Sequence, residues 1–524
     1  MVSKRYILAI DQGGSGSRAV VYDEEGCVRG YGYRAVGRIC PQPGWVEQHP
    51  RAIARSVAEA IEEALTRAGV RGSEVIACGI TSQRDTVFAW HARTGRPIGH
   101  AITWQDLRTA PLVAALDETP LGPLRRERLG QFPGAYAGAM HMAWRMRHDA
   151  AFRRAAEQGV LRVSLAAGWI VQALGRPSEH ALDHSLLQAM TVYDPRRRAL
   201  WEEWIEALSI PRAALPVARP TIHHFGELDI DGAEVPVLAM ITDQQAALFG
   251  YDCRAIGQAV ATHGTASFVN VVAGPVAPPQ GICKTYLAWE IDGIATYALE
   301  ADMTTTGAAA TWLRDLGLVR RVTDLDRYAA RVNHSGGVVF VPAMNGLGVP
   351  SEDRSARGAI FGLTLGVELS HLARAFYESI GFQLIDILAT MKAEAGLDVQ
   401  ELRVGGGLAA SDLACQIQAD ISGVTLVRAR DTETTARGVA LLAGIGAGIW
   451  SLATMPVLVD ETARRFVPQL SVSERAARYA QWQMAVERVK GWARPVNTPT
   501  AEQSSDEEWL LKHSTASIIE GQAR

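Results

Sequence analysis

Two segments of this chain repeat one plan, and that repetition limits the folds open to it. Tyr6 to Ile10 is a short apolar run, Asp11 to Gly16 a glycine-rich turn, and Ser17 to Asp23 a returning strand before the turn signal Glu24-Glu25-Gly26. Gly257 to Thr262, the turn His263-Gly264-Thr265-Ala266 and Ser267 to Val272 read the same way. A chain of 524 residues is too long for a single core. The repeat therefore predicts two domains on one supersecondary plan, residues 1–253 and 254–490, with the boundary near 250–256. After Pro495 the sequence turns polar and loses periodicity, so 491–524 is expected to be a mobile tail or a loosely attached helix.

The remaining pattern is α/β. A helix-period stretch runs from Pro50 to Ala68, and the apolar strand Glu74 to Ile80 ends at Thr81-Ser82-Gln83-Arg84-Asp85. The apolar run VPVLAMIT ends at Asp243-Gln244-Gln245. A carboxylate where a strand stops and a helix begins lies at the edge where open α/β sheets present their chemistry. Asp is also a favoured helix N-cap, so Asp243 alone admits both readings. The glycine-rich turns, which suit a phosphate group, shift the weight to chemistry.

Composition narrows the functional classes. The formal charge of −4 and pI near 6.4 leave no basic footprint for nucleic acid. No run of 18 apolar residues exists to span a membrane, and the start MVSKRYILAIDQGG lacks a signal peptide's features, so a cytoplasmic protein is expected. Six cysteines without a CxxC pair argue against a zinc site or a disulfide framework.

Phosphoryl transfer needs donors for phosphate oxygens, a metal and a positioner for the attacking hydroxyl. No GxxxxGK[ST] motif is present. The two hairpin tips, with Ser15 and Ser17 in one and Thr265 and Ser267 in the other, supply backbone N–H groups that form anion-binding nests. For each alone an ordinary turn is the readier reading; the two together, each carrying hydroxyls, point to phosphate. Asp11 and Asp243 would then hold Mg²⁺, which takes few carboxylates plus water and phosphate oxygens. Leu402-Arg403-Val404-Gly405-Gly406-Gly407 precedes a helix predicted from Ser411, where a base or ribose can lie on bare backbone or the glycines simply permit a tight crossover. Thr304 to Gly307 opens a further helix whose N-terminus suits a phosphate.

With these residues in view the chain resembles the FGGY carbohydrate kinases, and among them the glycerol kinase branch. The matching segments are IDQGGSGSRAVVYD, GWVEQHP, ITSQRDT, ITWQDLRT, DQQAALFG, HGTASF, FVPAMNGLGVP, ARGAIFGLTLG and LRVGGGLAASD, in the family's order. The resemblance implies two actin-like (ribonuclease-H-like) domains with a cleft between them, ATP and Mg²⁺ as cofactors, and a dimer or tetramer of like chains. It implies transfer to a terminal hydroxyl of a small polyol, glycerol first. It makes Asp243 the general base and Arg84, Asp85, Trp104, Tyr136, Gln244 and Phe268 the polyol contacts. For ATP it implies Gly14, Ser15, Gly16 and Arg18 in the first phosphate loop, Thr265 in the second, Gly307 at a helix start, and Gly407 with Ser411 at the adenosine.

The departures bear on substrate more than on reaction. Asp85 stands for the usual Glu, GAYAGAM replaces a Ser-Gly-Thr segment around Tyr136, Gly14 and Gly16 replace hydroxyl residues, Ser411 replaces Asn, and Glu352 replaces an aromatic residue. Another polyol or a sugar, such as erythritol, a pentitol or a ketopentose, is the alternative acceptor. A nucleotide-binding regulatory protein without an acceptor is the alternative from another class.

Overall fold

The computed structural model describes residues 4–117, 119–429, 433–458 and 462–493; the polar stretch after Pro495 lies outside them. Two seven-stranded sheets organise the chain. The first has the order Val28–Ala35, Gly16–Tyr22, Tyr6–Gln12, Val75–Ser82, Ala233–Thr242, Ile222–Ile230, Gly175–Pro177. Its first three strands form an antiparallel meander, and Tyr6–Gln12, Val75–Ser82 and Ala233–Thr242 run parallel.

The second sheet repeats this plan from the hairpin Ala259–His263 and Ser267–Gly274, which is antiparallel, through Ile294–Met303 on one side. On the other side Glu401–Gly406 and Thr425–Arg428 run parallel to Ala259–His263. Lys284–Ile291 lies outermost next to Ile294–Met303. The chain thus has the expected actin-like, two-domain α/β architecture.

Register decides which side chains meet. Asp11 faces Arg18 across the first hairpin and is level with Thr81, while Thr242 is level with Ser82. The ends of three strands, and with them Asp11, Arg84 and Asp243, therefore share one sheet edge. In the second sheet His263 is level with both Ser267 and Gly406.

Local chemistry explains the helix ends. Pro50–Ala68 starts with Pro at its first turn, is capped by His49, whose ring accepts from the Arg51 N–H, and ends at Gly69 with φ 64°. Its apolar stripe, Ile53, Val57, Ile61 and Leu65, is buried.

A third apolar layer joins the halves. The helix Asp243–Gly250 packs on the helix Thr434–Gly446, which also covers the strands Tyr6–Gln12, Val75–Ser82 and Ala233–Thr242. Ile7, Ala9 and Val20 from the first sheet share this cluster with Val260, Val272 and Ala298 from the second. The helices meet backbone to backbone: a Cβ on Gly438 would lie 1.9 Å from the Ala246 carbonyl oxygen, and one on Gly250 2.0 Å from that of Thr434. Gly438→Ala is expected to destabilise the fold by about 1–3 kcal/mol, as overpacking does. A scanning-calorimetry midpoint no lower than wild type would refute this.

All six cysteines are free thiols, with Cys27 and Cys40 exposed and the others buried. Among the described residues no helix is long and apolar enough to cross a membrane.

Candidate active site

The cavity at the shared strand ends measures about 320 Å³ and draws on both domains. Gly14, Arg84, Asp85, Trp104, Tyr136, Asp243, Gln244 and Phe268 all line it, so the proposed acceptor residues are brought together with the tip of the first hairpin. Asp243 is the first residue of its helix, with Thr242 at the cap position, and its Oδ1 accepts the Gln244 N–H at 2.8 Å.

Arg84 is the pivot. Its Nη1 donates to both Glu300 oxygens at 3.0 Å, its Nε lies 3.8 Å from Asp243 Oδ1, and its guanidinium sits over the rings of Tyr286 and Phe268. Glu300 is completely buried, so a carboxylate of the second domain holds the arginine of the first. A charge-assisted pair of this kind fixes orientation as well as charge.

Burial pushes the Asp243 carboxyl up to about 6, against the pull of Arg84, with Asp11 and Glu300 adding to the rise. Asp85 is pushed up to about 7, again first by burial and against Arg84. Its backbone has φ 63°, and its Oδ1 is buried without a partner among the described residues. Gln244 Oε1 is in the same condition. Two buried acceptors without donors on the wall of a cavity are what a ligand with several hydroxyls would satisfy.

The first hairpin turn is closed by Gly13 N–H donating to Gly16 O at 2.9 Å, and the second by Gly264 N–H to Ala266 O at 3.0 Å. Ser15 is exposed at the tip of the first, as Thr265 is accessible at the tip of the second. Arg18 reaches from its strand to Asp11 at 3.0 Å and lies 3.6 Å from Glu433. A ladder of amides stiffens the first turn: Gln83 Nε2 donates to Gln12 and Gln48, each at 3.0 Å, and Gln48 Nε2 to Gly14 O at 2.9 Å.

Three residues expected at the nucleotide differ in what they offer. The Gly307 N–H donates to Gly264 O at 3.0 Å, and the Thr306 and Ala308 N–H groups both bond Thr265 O at 3.1 Å. The helix start is spent on docking to the second hairpin, and a Cβ on Gly307 would come within 2.4 Å of Gly264 O. Its donors are therefore not free for phosphate. Ser411 Oγ caps its own helix, accepting from Ala414 N at 3.0 Å, and donates to Asp326 at 2.8 Å. Gly407, by contrast, is exposed, and a Cβ added to it would meet nothing within 4 Å, so its backbone offers an open surface.

Sequence reading missed Gln131, Lys284, Tyr286, Glu300, Asp302 and Arg354, all but Glu300 of which line the cavity. The signal that could have found three of them was a charged residue within an otherwise apolar strand. Lys284 opens KTYLAWEI, and Glu300 and Asp302 sit in IATYALEADM. Among the described residues no group of three or more His, Cys, Asp or Glu side chains is arranged to hold a metal ion.

Comparison with known proteins agrees with this architecture. Residues 6–250 match the N-terminal domain of the FGGY family of carbohydrate kinases, and residues 259–447 its C-terminal domain. A glycerol kinase of Symbiobacterium thermophilum is 40% identical over 498 residues, covering 94% of this chain and 100% of that protein. One from Thermus brockianus is 41% identical over 492 residues, covering 93% and 99%. The crystal structure of Plasmodium falciparum glycerol kinase with ADP superposes with a TM-score of 0.86 at 25% identity, covering 93% of this chain and 98% of that one. A xylulose kinase of Brucella ovis shares the fold, with a TM-score of 0.81 at 22% identity over 93% and 98% of the two chains. Matched in both halves, with a cavity at the strand ends where the two sheets meet, this chain belongs to the FGGY family of carbohydrate kinases.

Proposed function

We propose that this protein transfers the γ-phosphoryl group of ATP to a terminal hydroxyl of glycerol, giving glycerol 3-phosphate. The observation that carries the reading is Asp243: a partly buried carboxylate with its affinity for protons raised, lining one cavity with Arg84, Asp85 and Gln244. The likeness to glycerol kinases along nearly the whole chain supports glycerol as the acceptor.

In this reading Asp243 accepts the proton of the attacking hydroxyl. A base with a pKa raised toward neutrality takes a proton more readily than an ordinary carboxylate and is still ionised at pH 7. Gln244 Oε1 and Asp85 Oδ1 accept hydrogen bonds from the polyol, while Trp104, Tyr136 and Phe268 wall its carbons. Arg84, clamped by Glu300, aligns the acceptor, and such alignment is worth on the order of 7–11 kcal/mol in well-oriented intramolecular reactions.

On the donor side the turn amides, the hydroxyls of Ser15 and Thr265, and Arg18 stabilise charge on the transferred group. Gly14 leaves the turn backbone accessible and Gly407 offers its bare surface to the adenosine, while Gly16 is buried against Tyr33 and shapes the turn. Ser411 keeps that surface in shape by capping the next helix. Asp11 and Asp243 fit Mg²⁺: both are carboxylates, the hard ligands this ion takes, and they stand near enough for Asp11 to raise the Asp243 pKa. When bound there the ion would neutralise charge on the β- and γ-phosphates. The halves 1–253 and 254–490 supply opposite walls, so their approach would exclude water as a competing acceptor.

The test is ADP release from ATP and Mg²⁺ with and without glycerol. Glycerol-dependent turnover with kcat/KM above ~10⁴ M⁻¹s⁻¹ is expected. ATP binding without glycerol-stimulated turnover would overturn the reading. The pH profile adds a second check. Asp243 must be ionised to act, so kcat/KM is expected to fall about tenfold per pH unit below about 6. A flat profile down to pH 5 would exclude Asp243 as the base.

A further inference from the structure

The acceptor cavity also presents charged groups that the reading above leaves unused. Lys284 and Asp302 line it on the second-domain side, together with Arg354. Lys284 Nζ lies 3.0 Å from Asp302 Oδ1 and 3.9 Å from Glu300, which is already held at both oxygens by Arg84. One ammonium hydrogen serves Asp302, so the other donors remain for a ligand. No hydrogen bond to the second oxygen of Asp302 is formed among the described residues, so it can accept from the same ligand.

We propose that the Lys284–Asp302 pair is a second acceptor subsite, reading hydroxyls beyond the three-carbon unit next to Asp243, so that the pocket also takes neutral polyols of four or five carbons. This rests on the reading proposed above. A hydroxyl both donates and accepts, which matches an ammonium beside a carboxylate. The groups at this end carry both signs, Lys284 and Arg354 against Asp302 and Glu352, so an ionic substituent of either sign meets repulsion as well as attraction, whereas a neutral hydroxyl bonds both partners of the pair. These four groups sense one another's charge, as the Glu352 carboxyl, raised first by burial and then by Asp302, records. Asp85 lines the same cavity, and its Oδ1 has no partner among the described residues. The cavity of about 320 Å³ falls in the range of small-molecule pockets, roughly 300–1,000 Å³, and exceeds what glycerol's few heavy atoms fill. The chemistry is unchanged: the acceptor's terminal oxygen bonds to the γ-phosphorus, the bond from that phosphorus to the β-bridging oxygen breaks, and the proton passes to Asp243.

The experiment compares kcat/KM for glycerol, erythritol, ribitol, the arabinitols and xylitol, with four- and five-carbon aldonates as charged controls, in wild type, Lys284→Met, Lys284→Arg and Asp302→Asn. The wild type is expected to turn over at least one longer polyol with kcat/KM within tenfold of glycerol. Lys284→Met and Asp302→Asn are expected to lower the ratio of longer polyol to glycerol at least tenfold, and Lys284→Arg to restore most of it. A ratio unaltered in the Met and Asn variants, a preference for aldonates, or turnover of glycerol with none of the longer polyols would overturn the subsite while leaving the proposed function intact. Failure on every polyol, glycerol included, would overturn both. Because the readout is a ratio within one variant, partial loss of folded protein does not imitate it.

Discussion

Asp243→Asn is expected to lower kcat by roughly 10²–10⁴-fold, the range that a positioned general base contributes, while leaving ATP affinity within a few-fold of wild type. The physical reason is that the amide cannot accept the hydroxyl proton yet occupies the same volume at the start of the same helix. Stability separates this loss from damage to the fold. At pH 7 the native carboxylate is ionised and desolvated, a cost shown by its pKa of about 6, and the neutral amide removes that cost. Arg84 keeps its two bonds to Glu300 in the variant. The melting temperature is therefore expected to stay level or rise. Turnover within threefold of wild type would eliminate Asp243 as the base, whatever the melting temperature.

Arg84→Met is expected to act on both activity and stability. Removing the guanidinium leaves Glu300 buried with, among the described residues, Lys284 at 3.9 Å as its compensating charge. Breaking a buried ion pair from one side costs about 3–5 kcal/mol. The acceptor loses its alignment at the same time, for which a fall in kcat/KM of about 10²-fold or more is expected. The double variant Arg84→Met with Glu300→Gln separates the two effects. It removes the stranded carboxylate and is expected to recover much of the stability, as read by thermal unfolding, and none of the activity. Recovery of turnover in the double variant would show that Arg84 serves only to neutralise Glu300.

The two variants probe different kinds of information in the chain. Asp243 announces itself in one dimension, since a carboxylate directly after the apolar run VPVLAMIT can be placed at a strand end without knowing the fold. Arg84 also stands at a strand end, and its sequence neighbours mark it as polar in an apolar setting. Its orientation, however, comes from Glu300, which is 216 positions away in the chain and on the other sheet. No local pattern pairs them.

The nucleotide side shows the same division. The tips of both hairpins, Ser15 and Thr265, follow from turn chemistry, because glycine-rich turns between strands lie at the surface. Gly307 and Ser411 also stand at helix starts, as their sequence context predicts. What they do there depends on neighbours: the carbonyls of Gly264 and Thr265 take up the amides at the start of the first helix, and Asp326 takes the Ser411 hydroxyl. A helix N-terminus presents free donors only when tertiary contacts leave them free.

The two hairpins, the helix Pro50–Ala68, the strand ends that carry Arg84 and Asp243, and the α/β class are all legible in the residue order, because each depends on side-chain periodicity and turn residues within a few positions. Folding in three dimensions was needed to bring Gln131, Lys284, Tyr286 and Asp302 to the cavity and Glu300 behind Arg84, and to seal the layer between the sheets with a helix from late in the chain. Strand register selects which alternate side chains face the cleft, and a shift of one residue would turn Lys284, Glu300 and Asp302 away from it. Register is set by pairing between distant segments, so it is written in the packing of the whole chain and in no single stretch of it.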